Sequence, residues 1–304
     1  MPPFRLERID SRHERKTLTA GAASDQIPTA IVAAYVGRMA VLGIDIGGSG
    51  VKGGLVDVRR GTLVGERFRV ETPESGDVAG ILERIDEVVS HFNRTPAVGL
   101  TFPGVVTGGT IRTAANLDPA WIGQNLPALV KERLGVEPVV LNDADAAAVA
   151  EAAHGAAKGA RGVVLMLTFG TGVGSGLLVD GKLVPNTELG HLSMKGKDAE
   201  KRVAESVREK KNLSWKKWAG PVNDYFAMLE ALFSPDLFVV GGGIAKAPDK
   251  WLPLMKTRSP VKVATLGNLA GIVGAAMTAH RAVTPTRRAA GARSPRSSAR
   301  PRSR

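Results

Sequence analysis

The sequence predicts an α/β fold, and three observations carry that prediction. Short apolar runs alternate with stretches whose apolar residues recur at helical spacing. One arrangement, a strand, a Gly/Thr/Ser-rich turn and a second strand, occurs twice, in LGIDIGGSGVKGGLVDV and in LTFGTGVGSGLLVDGKLV. The composition, 43% hydrophobic and 23% charged over 304 residues, fits a soluble chain long enough for one large domain or two ordinary ones.

Taken in order, AVLGIDIG (40–47), KGGLVDV (52–58) and TLVGERFRVETP (62–73) read as three strands joined by Gly-rich or Arg-Gly turns. VAGILERIDEVVSHF (78–92) carries its apolar residues on one helical face. AVGLTFPG (97–104) and PVVLNDAD (138–145) read as buried strands, with Asp143 at the end of the second. DAAAVAEAAHGAA (145–157) is a strong helix former. A second strand series covers 162–184, and a long charged helix is expected after it, over 195–218. A helix at 228–233, the strand LFVVGGGIA (237–245) and a small-residue helix at 269–279 complete the pattern.

The formal charge of +12 is unevenly placed. Residues 281–304 hold eight arginines and no acid, and residues 1–38 carry +2, which leaves +2 for 39–280. The compact part is nearly neutral, so the whole-chain charge does not argue for a nucleic-acid site. The Arg/Ser/Pro-rich tail lacks apolar periodicity and is expected to be disordered. The head, 1–38, is weakly patterned, and the compact protein is expected to begin near Met39. No apolar run reaches the roughly 18–20 residues of a membrane span, and the N-terminus lacks the order of a signal peptide. A cytoplasmic protein is the expectation. With no cysteine, disulfides, iron–sulfur clusters and cysteine-ligated zinc are excluded.

Five glycines lie within nine positions after Asp45. A turn of this kind presents consecutive backbone N–H groups toward one point, and such nests bind anions, phosphate above all. Two of them could hold opposite sides of one phosphate chain. Each could also be no more than a tight hairpin. Asp143, in LNDAD, could serve as a base or cap the following helix. Asp145 reads as a first-turn helix charge.

IDIGGSGVKGG, TFPGVV, RTAANL, LNDADAAAVAE, LTFGTGVGSG, ELGH and VVGGGIA occur in the order found in the sugar kinases of the ROK family, within the actin-like ATPase superfamily. Residues 40–280 resemble that family, in particular its polyphosphate-using members. The resemblance implies a two-lobed, ribonuclease-H-like fold, 39–141 and 142–280, with the active site in the interlobe cleft and the last helix packed back on the first lobe. It implies a homodimer. It also implies a kinase that phosphorylates the 6-hydroxyl of glucose with Mg²⁺, with Asp143 as the base and Asn116, Asn142, Asp143, Glu188 and His191 around the sugar. On the donor side it implies Asp45 holding Mg²⁺ through water, with Gly47, Gly48, Ser49 and Lys52 at the first loop. Thr168, Gly170, Thr171, Gly172 and Gly174 form the second loop, and Gly241, Gly242 and Gly243 lie at the nucleotide end. Elsewhere in the family the histidine of ELGH ligates zinc with a cysteine cluster. That cluster is missing here, so no zinc site is expected and His191 is read as a sugar ligand or a packed core histidine.

The segment 195–218, which replaces the zinc region, holds nine Lys/Arg and four acids. A long polyanion would gain from such a stripe, and ATP needs far fewer cations. Together with the resemblance this favours polyphosphate as donor, with ATP also accepted, and Lys195, Lys197, Lys201, Arg202 and Arg208 as its contacts. The plain alternative is a solvated helix of alternating charge. A sugar-responsive repressor of the same family would carry an N-terminal helix-turn-helix, for which the 38-residue head is short. A kinase for mannose, fructose or an acylated amino sugar is a further alternative.

Overall fold

The computed structural model describes residues 40–93, 95, 97–114 and 117–284. The head 1–38, most of the Arg-rich tail and Asn116 lie outside the described residues.

The first half builds a six-stranded sheet. Its strands are β1 (Ala40–Gly47), β2 (Gly50–Asp57), β3 (Thr62–Leu63), β4 (Phe68–Val70), β5 (Val98–Phe102) and, after the small hairpin β6 (Val106–Thr107) and β7 (Thr110–Ile111), β8 (Val139–Asn142). The order is β3-β2-β1-β5-β8, with β4 also paired to β2. β1 and β2 are antiparallel, whereas β5 and β8 run parallel to β1. Helices α1 (Val78–His91) and α2 (Leu126–Leu134) cover the outer face, each with an Asx cap, Asp77 and Asn125, accepting from the third residue on.

The second half repeats the scheme. β9 (Val163–Phe169), β10 (Val173–Val179) and β11 (Lys182–Val184) form a meander, and β14 (Leu237–Gly242) and β15 (Val261–Val263) run parallel to β9. The intervening chain forms the hairpin β12 (Ser193–Met194) and β13 (Lys197–Asp198), and the outer face carries Trp218, Tyr225 and Phe226 of a long helix described below.

Two helices lie between the sheets. One, α3 (Asp143–His154), packs on β9, β10 and β11. The last, Ala270–Val283, packs on β1, β2, β5 and β8 and crosses α3. A β-carbon on Gly43 would stand 2.0 Å from Ile272 O, and one on Gly274 would stand 1.9 Å from Ala146 O. Glycine at these places lets the helix lie on the sheet and on α3. This interior joins Val41 and Val56 of the first sheet to Met166 and Val239 of the second through Ala147, Ile272 and Val273.

Four expectations change. The stretch 62–73 breaks into β3 and β4, because Gly65 turns left-handed (φ 86°) between them. The segment 195–218 is not one helix. It contains β12–β13, the short helices α4 (Glu200–Val203) and α5 (Glu205–Lys210), and the start of α6 (Trp215–Phe233), because the chain turns at Lys195, Gly196 and Asn212, all with positive φ. The expected helix at 228–233 is the end of α6. After α7 (Pro248–Trp251), the last helix, α8, continues past 279 to Val283. No helix among the described residues is long and apolar enough to cross a membrane.

Candidate active site

The two glycine turns face one cavity of about 690 Å³. The β1–β2 turn is the pair Gly48–Ser49, and the β9–β10 turn is Gly170–Thr171–Gly172. Gly47, Gly48, Thr168, Gly170, Thr171, Gly172, Gly174 and Gly242 line the cavity together with Asn142, Asp143, Glu188 and His191. Pro103, Gly104 and Thr113, from TFPGVV and RTAANL, and Glu200, from the basic segment 195–218, line it too, and their residue types carry no signal of their own.

Asp143 is the first residue of α3, not the end of β8. Asn142 is the cap: its Oδ1 accepts from Ala144 N (2.8 Å) and Asp145 N (3.1 Å), and its Nδ2 donates to Gly104 O (3.2 Å). The capping alternative for Asp143 therefore falls to its neighbour, and the Asp143 carboxylate is left to the cleft. It is open to the water of the cleft yet enclosed by its walls. Enclosure, then the charges of Asp45 and Glu188, push it up from the usual carboxylate range to about 6, against the backbone N–H groups of Ala144 and of Asp143 itself.

Asp45 lies near it, two residues before the end of β1. Its Oδ1 accepts from Thr101 Oγ1 (2.8 Å), and its Oδ2 lies 3.8 Å from Lys52 Nζ, its cross-strand partner. Ser49 is exposed at the turn, and its carbonyl accepts from Arg69 Nη2 (2.7 Å). Glu188 is half-buried, and burial raises its carboxyl above the ordinary range against the pull of His191. His191 is exposed, which removes the core-histidine reading. Its Nε2 lies 3.7 Å from Glu188 Oε2 and its Nδ1 3.2 Å from Asp198 Oδ2. His191, Asp198 and Glu200 bring possible ligand atoms within 4.8 Å of one another, but Lys201 Nζ already supplies a cation 3.5 Å from Asp198.

A second cavity, about 310 Å³, adjoins the first at Thr168 and Gly242. Gly241, Lys246, Thr265, Gly267 and Asn268 line it. Gly243 lies against the Glu205 carboxylate instead. The wall at 265–266 is fixed by Glu151, fully buried in α3, which accepts from Thr265 N (2.9 Å), Leu266 N (2.7 Å) and Ala156 N (2.6 Å). An apolar-looking alanine helix hides that acid in the sequence.

None of the five expected polyanion contacts lines either cavity. Lys195 pairs with Asp224 (2.7 Å), and Lys201 with Asp198. Arg202 donates to Met194 O and Lys195 O, Arg208 stacks on Trp215 at 4.1 Å, and Lys197 is exposed on β13. The segment acts on the site in another way. Ser206 N donates to Gly170 O (3.0 Å) and Ser206 Oγ to Thr171 O (2.7 Å), so α5 props the second turn.

The sequence profile of the ROK family matches residues 41–204. The chain is 46% identical to the polyphosphate glucokinase of Mycobacterium leprae over 258 residues, 84% of this chain and 80% of that one. It is 50% identical to the polyphosphate glucokinase of Mycobacterium tuberculosis (strain ATCC 25618 / H37Rv) over 236 residues, 77% of this chain and 89% of that one. Among solved structures, the inorganic polyphosphate/ATP-glucomannokinase of Arthrobacter sp. strain KM superposes with a TM-score of 0.77 at 46% identity, covering 81% of this chain and all of that one. A ROK family glucokinase from Streptomyces griseus, in complex with glucose and AMPPNP, superposes with a TM-score of 0.69 at 26% identity, over 80% and 99%.

Proposed function

The chain belongs to the ROK family, and from that premise we propose that it is a polyphosphate glucokinase, making glucose 6-phosphate from glucose and polyphosphate. The observation that carries this reading is the placement of the Asp143 carboxylate in the cavity that the two glycine turns share. Residues 39–141 and 142–280 are taken as the lobes that contribute one turn each.

A sugar hydroxyl is a weak nucleophile, and Asp143 takes its proton as the new P–O bond forms and the terminal P–O–P bond of the donor breaks. The shortened polyphosphate leaves with the electron pair. Asn142, Glu188 and His191, with Asn116, hold the other hydroxyls. The backbone of Gly47, Gly48, Ser49, Gly170, Thr171, Gly172 and Gly174, with Thr168 and Lys52, holds the phosphates; Gly241 and Gly242 line the far end. The charge of Asp45 beside Asp143 and the all-oxygen donor set suit a hard divalent cation, so Asp45 is the residue that would hold Mg²⁺, through water. When bound, that ion neutralises phosphate charge.

The second cavity supports ATP as an alternative donor, with the nucleoside between Gly241–Lys246 and 265–268. The basic segment 195–218 contributes long-range attraction for polyphosphate through Lys195, Lys197, Lys201, Arg202 and Arg208, which makes donor affinity salt-sensitive. A cytoplasmic homodimer with no nucleic-acid partner completes the reading. The test uses the full-length protein with Mg²⁺, glucose and either donor. Glucose 6-phosphate is the expected product, and Asp143→Asn is expected to lower kcat about 10²–10⁴-fold while the fold persists. A variant with the wild-type rate would remove Asp143 from the role of base.

A further inference from the structure

Three segments bring residues to the sugar side of the cleft: 103–106, 142–145 and 186–191. One closed set of hydrogen bonds ties them together. Gly104 O accepts from Asn142 Nδ2 at 3.2 Å, and Asn142 Oδ1 accepts from Asp145 N at 3.1 Å. Asp145 Oδ2 then accepts from Asn186 N at 2.7 Å. Asn186 closes the circuit on the backbone of Val106, two residues beyond Gly104. Its Oδ1 accepts from Val106 N and its Nδ2 donates to Val106 O, both at 2.9 Å.

From this geometry we infer that Asp145 and Asn186 are positioning residues, a clasp that sets where Glu188 and His191 stand relative to Asp143; the inference rests on reading this cleft as the glucose site.

Stability alone does not explain Asp145. Asp145 is 1% exposed, and its Oδ1 is buried with no hydrogen-bond partner among the described residues. A buried polar atom without a partner is unfavourable, and the surrounding positions, 144 and 146–148, are alanines. An alanine at 145 would avoid that cost and lose only the link to Asn186. Asn186 sits at φ 60°, where glycine is the undemanding choice. Asparagine tolerates that conformation and adds the two side-chain bonds to Val106. Each clasp residue is also two positions from a cleft-lining acid, Asp145 from Asp143 and Asn186 from Glu188. On its other side the loop is held by β10, where Ser175 Oγ donates to Thr187 O (2.6 Å) and accepts from Leu189 N (3.0 Å). The loop therefore has one anchor in its own sheet and a second, through Asn186, on the opposite wall.

The clean variant is Asn186→Gly, which keeps the left-handed backbone and the N–H to Asp145 and removes only the bonds to Val106. In the full-length enzyme, the glucose Kd by calorimetry and the glucose KM are expected to rise about 10-fold, the equivalent of about 1.4 kcal/mol of lost sugar binding. The polyphosphate KM is expected to stay within about twofold, because both donor turns are outside the clasp. Asp145→Ala should move glucose binding in the same direction. Asp145→Asn should recover most of it, since an amide oxygen can still accept from Asn186 N. Glucose binding within about twofold of wild type in Asn186→Gly overturns the inference, whether or not the melting point falls. A parallel rise in both KM values also overturns it, by indicating general loosening. If wild-type protein neither binds nor phosphorylates glucose, the reading of the site itself fails and takes the clasp with it.

Discussion

The two glycine hairpins are alike in residue pattern and differ in what supports them. The β1–β2 hairpin is held inside its own sheet. Its turn is braced by Arg69 on Ser49 O, and several of its glycines serve packing: a β-carbon on Gly53 would lie 2.3 Å from Val88 and one on Gly54 2.7 Å from Leu63. It also carries an acid, Asp45, flanked by Thr101 and Lys52. The β9–β10 hairpin has no acid of its own at the turn. It is propped from outside by Ser206, and Val173 N donates to Glu200 Oε2 (3.3 Å). Glycine serves close packing in both hairpins, since a β-carbon on Gly174 would lie 2.6 Å from Thr168 Oγ1 and one on Gly176 2.6 Å from Ala148; the second differs at its turn, where a β-carbon on Gly170 would meet nothing within 4 Å.

The sharpest way to separate the hairpins is through that acid. Asp45→Asn is expected to lower kcat about 10²–10³-fold, the scale seen when an electrostatic group at a transferring centre is lost. Glucose phosphorylation at the wild-type rate would remove Asp45 from the donor side. The next contrast pairs two glycine substitutions. Gly43→Ala places a methyl 2.0 Å from Ile272 O and is expected to cost roughly 1–3 kcal/mol, read as a lower melting temperature. Gly170→Ala meets nothing within 4 Å, so melting should hold while the polyphosphate KM rises. Equal melting temperatures for the two would erase the distinction. Ser206→Ala removes the Oγ half of the outside prop and keeps the backbone bond to Gly170 O; that one lost hydrogen bond of about 1 kcal/mol corresponds to a few-fold rise in donor KM, with glucose KM holding.

The pH effects are smaller. A base must be unprotonated, so kcat/KM should fall as pH drops below about 6, where Asp143 takes up its proton. Asp145 acts on stability. Burial first, then Glu188 and Asp143, raise its carboxyl to about 7 from an ordinary 3.8, in opposition to the Asn186 N–H. The folded protein therefore holds this proton more tightly than the unfolded chain. That contribution is full below about pH 4 and is lost as pH rises through about 7. The melting temperature of Asp145→Asn relative to wild type should accordingly climb over that interval, and a flat difference would sink the assignment.

By itself, the sequence determined the α/β alternation, the two strand–turn–strand units and the Asn142–Asp143 pair. Those are local matters: apolar periodicity fixes strands and helices, and glycine runs fix turns. It also placed most cleft residues in motifs, because a phosphate nest is built from consecutive backbone groups. Tertiary structure decided the rest. Which of two adjacent polar residues caps α3 depends on Gly104, 38 positions away, accepting from Asn142. The lysines and arginines of 195–208 look like an anion stripe as a string, yet Asp224, Asp198 and backbone carbonyls claim most of them. Asn186 gives no signal in sequence, since its partners are Asp145, 41 positions away, and Val106, 80 positions away. Periodicity reports which face of an element is apolar; it does not report which distant backbone group a buried polar atom will meet.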